Sequence, residues 1–562
     1  MAPYQDFYQA GVPATIETPT DSLVELIEQA VASGGDTVAV QFFGKTISYR
    51  QLGERIDRAA EGLRRLGVQA GDRVALVLPN CPQHVIAFYA ILRLGAIVVE
   101  HNPLYTAREL RHLFEDHAAR VVIAWDIAID RLRQQPGDIA IETIIAVRLT
   151  DEFSWTKRLG LRLPLPPLRR LRRRLTTPVK GVVTWKDLLH HRPIKAHHPK
   201  PSVADTAVII YTSGTSGVPK GAMLSHGNLY ANARQGDAWM HDAVRGAETV
   251  YAVLPFFHAL GLTVGLTYAL MINAKLVIFP TFDRPSIIKE LKRTPPTILA
   301  AVPPIFEALA ADCKHHRIKL TGTRICLSGA MSLSEEIRAA WQKTGAGPLV
   351  EGYGLTEASP IALGNPFAAS RKPGTIGLPF PSTVIKLVDV DDASKEVAPG
   401  LPGELLIAGP QVFAGYWHNP NETAQVLLPG GWLATGDIVT QDADGFVTIV
   451  GRKKDLIITG GFNVAPAEVE QVILTHAAVV DVAVVGLPHA HSGEEVVAAV
   501  VVAPGERLDV KELRAYCRAR LAAYKVPRQL RLVESLPKTM LGKIRHAEVR
   551  QLLLAGSSRR SK

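Results

Sequence analysis

The chain is poor in cysteine. Cys81, Cys313, Cys326 and Cys517 stand scattered among 562 residues, with no CxxC pair. Their spacing argues against a zinc site and a disulfide framework, and it suits a reducing cytoplasm. The opening residues, MAPYQDFYQAGVPATIETPTDS, lack a basic stretch followed by an apolar one, so no secretory signal is expected there. Long apolar runs are missing too. The most apolar stretch begins at Leu260 and is interrupted by Asn273 and Lys275; it is short for a membrane span and predicts buried helix and strand. Acidic residues are absent from Lys157–Lys180, KRLGLRLPLPPLRRLRRRLTTPVK, which holds nine Lys or Arg. The net charge of the chain is +10, so nearly all of it sits in that segment. The basic balance therefore marks one local element and not a nucleic-acid-binding surface spread over the protein.

Hydrophobic residues make up 47% of the chain and charged residues 21%, the balance of a folded globular protein and not a disordered one. The length exceeds what one ordinary core supports, so two or more domains are expected. Tyr49, Leu52, Ile56, Ala59, Leu63 and Leu66 recur at helical spacing, and Gly67 and Gly71 end that helix. RVALVL (73–78) follows as a buried strand, a helix runs from about Cys81 to Leu94, and AIVV (96–99) is the next strand. Thr106-Ala-Arg-Glu109 has the form of a capping box. Strand-like runs continue at 207–211, 249–254, 275–279, 297–302 and 324–327. This alternation predicts an α/β fold with helices covering largely parallel sheets. From about 380 to 451, short strands (VIKLVDV, GELLIAG, FVTIV) and turns such as Asp444-Gly445 predict a β-rich subdomain. A small α+β unit follows, with helices near 467–474 and 510–523 and strands DVAVVGL, EVVAAVVV and QLRLVE. The boundary falls near Arg452–Asp455, giving domains of 1–451 and 452–562. The tail, GSSRRSK, reads as disordered.

YTSGTSGVPKGAMLSH, Tyr211–His226, follows an apolar strand and crowds glycine, serine and threonine ahead of a lysine. Glycines let the backbone approach phosphate oxygens, N–H groups and hydroxyls donate to them, and Lys220 adds a positive charge. The pattern predicts a polyphosphate cradle. It is not a Walker A loop, whose second glycine is followed directly by lysine and a hydroxyl residue; here Val218 and Pro219 intervene. Composition alone leaves a flexible Ser/Gly surface loop open as the alternative.

TSGTSGVPKG resembles the phosphate-loop signature of the adenylate-forming superfamily of acyl-CoA synthetases, peptide-synthetase adenylation domains and luciferases. Further signatures follow in order along nearly the whole chain. The resemblance implies a large N-terminal adenylating domain and a small mobile C-terminal domain. It assigns Thr212, Ser213, Gly214, Thr215, Ser216, Gly217 and Lys220 to the phosphates of ATP. LPFFHALG (254–261) resembles the motif whose histidine lies beside the carboxylate pocket, which gives His258 a positioning role and not proton transfer. By composition alone His258 is a core or loop histidine. LSGAMSLSEE (327–336) resembles the turn lining the adenine pocket, where Gly329 and Ala330 leave room for a flat ring. Ser332 stands where many relatives have proline, and Ser334 also reads simply as a helix N-cap.

In EGYGLTEASP (351–360) the resemblance places Tyr353 and Gly354 at the nucleotide, Tyr353 stacking on adenine. It puts Thr356 on a phosphate oxygen and Glu357 on Mg²⁺, which hard carboxylate oxygens suit. GWLATGDI (431–438) and GRKKDLIITGGFNVAPAEVE (451–470) resemble the ribose clamp and the interdomain hinge. Asp437 would accept from both ribose hydroxyls, Arg452 would bond the same ribose or a phosphate, and Lys454 matches the hinge. Gly460, Gly461 and Phe462 match the loop that admits the thiol. PKTMLGKIRH (537–546) resembles the C-terminal signature with the adenylation lysine, here Lys543.

The resemblance implies an acid–thiol ligase using ATP, Mg²⁺ and coenzyme A, similar above all to long-chain and medium-chain fatty-acyl-CoA synthetases. Coumarate-type aryl-CoA ligases share much of the pattern. Leu262, four residues after His258, stands where some long-chain enzymes carry a gating tryptophan. Other readings stay open: a fatty-acyl-AMP ligase that loads a carrier protein, or a non-catalytic acyl- or nucleotide-binding scaffold. A scaffold is expected to have lost Glu357, Lys543 or the phosphate loop, and all are present. The partners expected are small molecules (fatty acid, ATP and coenzyme A) and no nucleic acid. In the basic segment, Leu168, Leu171 and Leu175 fall at helical spacing among arginines. Such an element can lie on an anionic leaflet, each basic residue adding about 1 kcal/mol; a disordered, solvated insertion is the alternative. The expected location is cytoplasmic, with peripheral contact at the inner membrane face.

Overall fold

The computed structural model describes residues 3–212, 219–459, 462–489, 493–521, 523–539 and 542–558. The mixed α/β chain divides into a larger unit, Met1–Val384 with Ile407–Leu433, and a smaller one, Ile385–Leu406 with Ala434–Lys562. The β-rich stretch is shared between them.

Two large sheets lie in the larger unit. The first has eight strands, from edge to edge Gly415–Tyr416, Lys220–Ser225, Thr206–Thr212, Ile97–Glu100, Arg73–Val77, Val121–Trp125, Thr143–Val147 and Val183–Thr184. From Thr206–Thr212 to the far edge the pairing is parallel, which requires crossover connections. The second has nine: Leu378–Pro379, Ile361–Gly364, Leu349–Gly354, Ile325–Ser328, Ile298–Ala301, Thr249–Ala252, Lys275–Ile278, Val38–Phe42 and Lys45–Ser48.

Local chemistry explains the helices that cover them. The helix Tyr49–Arg65 opens at Ser48 with a capping box to Gln51 and buries Tyr49, Leu52, Ile56, Ala59 and Leu63. Each of its large apolar side chains contributes roughly 1.5–3 kcal/mol on burial. The helix Pro82–Arg93 buries every residue, the polar Gln83, His84 and Arg93 included. The helix Ala107–His117 opens on the expected Thr106–Glu109 box. The apolar stretch after Leu260 folds into the helix Ala259–Leu262, a π-helical turn Thr263–Tyr268, the helix Ala269–Met271 and the strand Lys275–Ile278. Among the described residues no helix is long and apolar enough to cross a membrane.

The basic segment is ordered. It contains the short helices Trp155–Gly160 and Pro166–Leu175, with no buried residue in either. Its ends are fastened to the fold. Lys157 Nζ donates to Phe43 O, Trp125 Nε1 donates to Leu175 O at 3.1 Å, and Thr177 N donates to Asp126 Oδ2 at 3.0 Å.

In the smaller unit, the strands Trp432–Gln441 and Val447–Arg452 pair so that Asp437 stands opposite Arg452. The C-terminal sheet runs Phe462–Val464, Ile457–Thr459, Gly493–Val502, Val479–His489, with Gln529–Leu532 pairing beside Gly493–Val502. Alternate residues face opposite ways. Val482 and Val484 pack with Val469, Ile473 and Leu513 from the helices Pro466–Leu474 and Val510–Arg518. Ala483, Val485 and Leu487 pack with Val549 and Leu553 from the helix His546–Ser558. That helix continues through Gly556 and Ser557 to Ser558, so the first residues of the tail are helical and not disordered.

Candidate active site

In open α/β sheets, ligands bind beyond the carboxyl ends of the strands, and the motifs of the larger unit lie at such ends. Thr212 closes the strand Thr206–Thr212, and Lys220 opens its antiparallel neighbour, with the two residues directly paired. They are the two ends of the TSGTSGVPK segment. Ser213, Gly214, Thr215, Ser216 and Gly217 lie outside the described residues. Lys220 is buried; its ammonium meets the Glu422 carboxylate and stands 5.4 Å from the centroid of the Tyr416 ring.

Tyr416 extends this chain of contacts. Its hydroxyl donates to Glu357 Oε1 at 2.7 Å. Burial, and then the neighbouring Glu357 carboxylate, push the phenol pKa up, so the group stays a protonated donor. Phe413 N also holds Glu357 O, at 2.9 Å. Thr356 and Glu357 lie in the turn Thr356–Ala358, one residue beyond the strand Leu349–Gly354. Gly354 is obligatory: a Cβ there would come within 1.7 Å of Pro360 O. Tyr353 is buried.

Gly329 and Ala330 follow the strand Ile325–Ser328. Gly329 N donates to Ala301 O at 3.2 Å, and Ala330 takes a left-handed φ of 68°. The turn is braced by Glu351, whose carboxylate accepts from Leu333 N at 3.3 Å, Arg338 at 3.0 Å and Gly374 N at 3.1 Å. Burial raises the Glu351 pKa against the opposing pull of these donors. Ser334 caps the next helix, accepting from Ile337 N.

His258 immediately precedes the helix Ala259–Leu262. The residue keeps access to solvent. The surrounding chain desolvates it and lowers its pKa to about 4, so the imidazole is neutral at physiological pH. Thr263 Oγ1 donates to Ser359 O at 2.8 Å, and Leu260 lies against Gly329. The structure therefore joins the LPFFHALG, LSGAMSLSEE and EGYGLTEASP segments, and Tyr416 links Glu357 to Lys220.

The smaller unit holds the remaining candidates. Arg452 Nε lies 2.8 Å from Asp437 Oδ1, and the Asp437 side chain is buried. Lys453 pairs with Glu404 at 2.8 Å. Lys454 lies in the turn Lys453–Asp455 and Phe462 in the strand Phe462–Val464; Gly460 and Gly461 lie outside the described residues. Lys543 sits exposed on a tight loop. Its N–H donates to Thr539 Oγ1 at 3.1 Å, its carbonyl accepts from Thr539 N at 2.8 Å, and Gly542 supplies a φ of 83°.

Tyr416, Glu422 and Glu351 were not singled out from sequence. Tyr416 and Glu422 belong to GYWHNPNE (415–422), which reads as β-rich turn sequence and carries no charge or spacing pattern pointing to the phosphate loop.

Comparison with known proteins adds the family context. The AMP-binding enzyme family matches residues 27–417, and the AMP-binding enzyme C-terminal domain matches 468–543. A long-chain-fatty-acid–CoA ligase of Bacillus subtilis (strain 168) is 36% identical over 551 residues, 96% of each chain. One from Escherichia coli O157:H7 is 38% identical over 549 residues, 97% of each. A feruloyl-CoA synthase of Amycolatopsis sp is 32% identical, covering 91% of this chain and 95% of its own. Among solved structures, ATP-bound MatB from Rhodopseudomonas palustris superposes with a TM-score of 0.81 at 28% identity, over 94% of this chain and 98% of that one. The anthranilate CoA ligase AuaEII with anthranoyl-AMP gives 0.80 at 26%, over 96% and 98%.

Proposed function

The chain belongs to the AMP-binding enzyme family, and from that premise we propose that it is an acyl-CoA synthetase acting on fatty acids. It joins a fatty acid to AMP at the expense of ATP, releases pyrophosphate, and passes the acyl group to coenzyme A. The observation that carries this reading is the similarity to long-chain-fatty-acid–CoA ligases over nearly the full length of both chains.

A carboxylate is a poor acyl donor because its oxygen leaves badly, and a mixed anhydride with AMP supplies a better leaving group. In the first step the substrate carboxylate attacks the α-phosphorus, the bond to the β-phosphate oxygen breaks, and pyrophosphate departs. The carboxylate is already ionised, so no general base is needed. A neutral His258 suits a role in shaping the pocket. Lys220, exchanging Glu422 for phosphate, and Thr356 stabilise the triphosphate, and Lys543 bridges carboxylate and α-phosphate as charge spreads. Tyr353 stacks on adenine, Gly329 and Ala330 make room for it, and Asp437 and Arg452 hold the ribose.

Mg²⁺ fits Glu357. Among the described residues no three His, Cys, Asp or Glu side chains gather as a metal cage, and Mg²⁺ is ordinarily held by one or two carboxylates together with phosphate oxygens and water. Bound there, it supplies positive charge against the phosphates.

In the second step the domain beyond Arg452–Asp455 turns about Lys454, withdraws Lys543 and brings the Gly460–Phe462 loop to the site. The thiol sulfur bonds to the acyl carbonyl carbon, its proton is lost to solvent, and AMP leaves. The similarity to a feruloyl-CoA synthase supports aryl acids as a second reading. An assay of thioester formation with free coenzyme A, comparing acids of graded chain length with coumarate, tests both. Palmitate turning over well ahead of coumarate upholds the first reading. No thioester with any acid refutes both and favours a carrier-protein acceptor.

The reading includes a cytoplasmic enzyme that touches an anionic leaflet through the helices at 155–175. Trp155, Leu159, Leu163, Leu165 and Leu171 stand exposed there among the arginines, Trp155 at 76%. A surface both apolar and cationic suits a lipid headgroup layer and gives access to a substrate that partitions into membrane.

A further inference from the structure

The run that carries His258 leaves the strand Thr249–Ala252 and passes irregularly through Pro255 before the helix Ala259–Leu262 begins. Val253, Leu254, Phe256 and Phe257 are buried. Buried backbone groups outside a ladder or helix need partners from elsewhere. One side chain serves two such groups, and the last carbonyl of the strand besides. Asn80 is 3% exposed and follows the strand Arg73–Val77 of the other sheet. Its Nδ2 donates to Ala252 O at 3.2 Å and to Leu254 O at 2.7 Å, and its Oδ1 accepts from Phe256 N at 2.8 Å. Two carbonyls and one N–H leave the amide a single sensible orientation.

The same run is gripped from two further directions. The Phe256 ring meets the His84 ring edge-on at 5.4 Å. His84 is in turn held by Glu100 at 3.0 Å, and neither side chain is exposed. Gly261 also presses against Pro255: a Cβ at Gly261 would lie 2.0 Å from Pro255 O. His258 stands two residues beyond the Asn80 anchor, and its own N–H donates to Pro255 O at 3.1 Å.

We propose that Asn80 is a positioning residue for the acid-binding side of the site. It acts through the Phe256–His258 backbone and touches no reacting atom. It ties the His258 run, at the end of a strand of one sheet, to the body of the other, and so fixes the start of a segment whose Leu260 lies against Gly329 and whose Thr263 bonds Ser359 O. Alanine would take away the partner of the Leu254 carbonyl and the Phe256 N–H, and one bond to the Ala252 carbonyl at the strand end. Aspartate would set a carboxylate against two carbonyl oxygens. The proposal rests on the role given to His258 above.

The test is steady-state kinetics on the full-length protein with a long-chain fatty acid, ATP and coenzyme A. In Asn80→Ala, KM for the acid rises about tenfold or more while KM for ATP stays within about twofold. A merely structural role lowers the active fraction, so kcat falls with both KM values unchanged; that result overturns the proposal, as does unchanged kinetics. Gly261→Ala disturbs the same run through Pro255 and shows the same split. If Asn80→Ala does not fold, Gly261→Ala decides alone, since an unaltered acid KM in it counts against the proposal. The wild-type control separates the two ideas: a wild type that makes no thioester refutes the functional reading, whereas an active wild type with unshifted variants refutes only the role of Asn80.

Discussion

At the scale of single residues, the charge on Glu357 is what the proposed magnesium site depends on. Glu357→Gln keeps the shape, and the amide oxygen can still accept from Tyr416, whose hydroxyl now donates to Glu357 Oε1. The fold at the turn should therefore persist while the negative charge is lost. We expect the Mg²⁺ concentration for half-maximal adenylation to rise at least about tenfold, equivalent to ~1.4 kcal/mol, as measured by pyrophosphate release across a magnesium titration. Wild-type activity at low magnesium removes Glu357 as a ligand. Glu357 and Lys220 are legible in the sequence because each sits in a compact motif whose neighbours are close in the chain. Their partners are not. Tyr416 is 59 residues from Glu357, and Glu422 is 202 from Lys220. Nothing in helical or strand periodicity couples positions so far apart; only the packing of the hairpin's neighbour, Gly415–Tyr416 against Lys220–Ser225, brings them together. Asn80 escapes the sequence for the same reason, since a lone asparagine before a helix reads as a turn residue.

At the scale of elements, local chemistry carried the reading far. The capping box expected at Thr106 forms as a side-chain pair three residues apart, and a motif that short is visible in one dimension. The leucine spacing in the basic segment also predicts its helix, Pro166–Leu175. The ties to Trp125 and Asp126 are hidden, being some fifty residues away. Those ties matter for the membrane reading, because an element fixed at its ends presents its arginines as a surface and loses less freedom on docking. Changing Arg169, Arg170, Arg172, Arg173 and Arg174 to Gln removes about 1 kcal/mol of attraction per residue and should abolish sedimentation with anionic vesicles. Wild-type binding should weaken with salt, as the Debye length shortens to about 8 Å at physiological ionic strength. Trp155, 76% exposed, reports the contact by a shift of its emission. Turnover of a short, soluble acid should survive. Unchanged vesicle binding in the Gln variant sinks the idea, and equal loss on short and long acids makes the segment part of the fold instead.

At the scale of the whole molecule, the α/β alternation specifies the class of each sheet but not its strand order. Val38–Phe42 pairs with Lys275–Ile278, more than two hundred residues later, because the amino-terminal hairpin completes the second sheet. Adjacency of that kind is chosen by tertiary packing among apolar runs that look alike in sequence. The two chemical steps proposed here make a further demand on the molecule. Lys543 lies on an exposed loop of the smaller unit. Its proposed task, stabilising charge between carboxylate and α-phosphate, exists only while ATP is being consumed. Once the mixed anhydride has formed, thiol attack develops charge on the acyl carbonyl and on departing AMP, and the proposed rotation about Lys454 has removed the lysine. Lys543→Ala should therefore lower acyl-adenylate formation by about two to three orders of magnitude, of the size seen when one charge-stabilising donor is deleted. Thioester formation from supplied acyl-adenylate and coenzyme A should stay within about threefold of wild type. Each half-reaction is followed separately, by pyrophosphate release and by acyl-CoA formation, with circular dichroism confirming the fold. Parallel loss of both half-reactions in a folded variant means that a single arrangement of the molecule performs both steps.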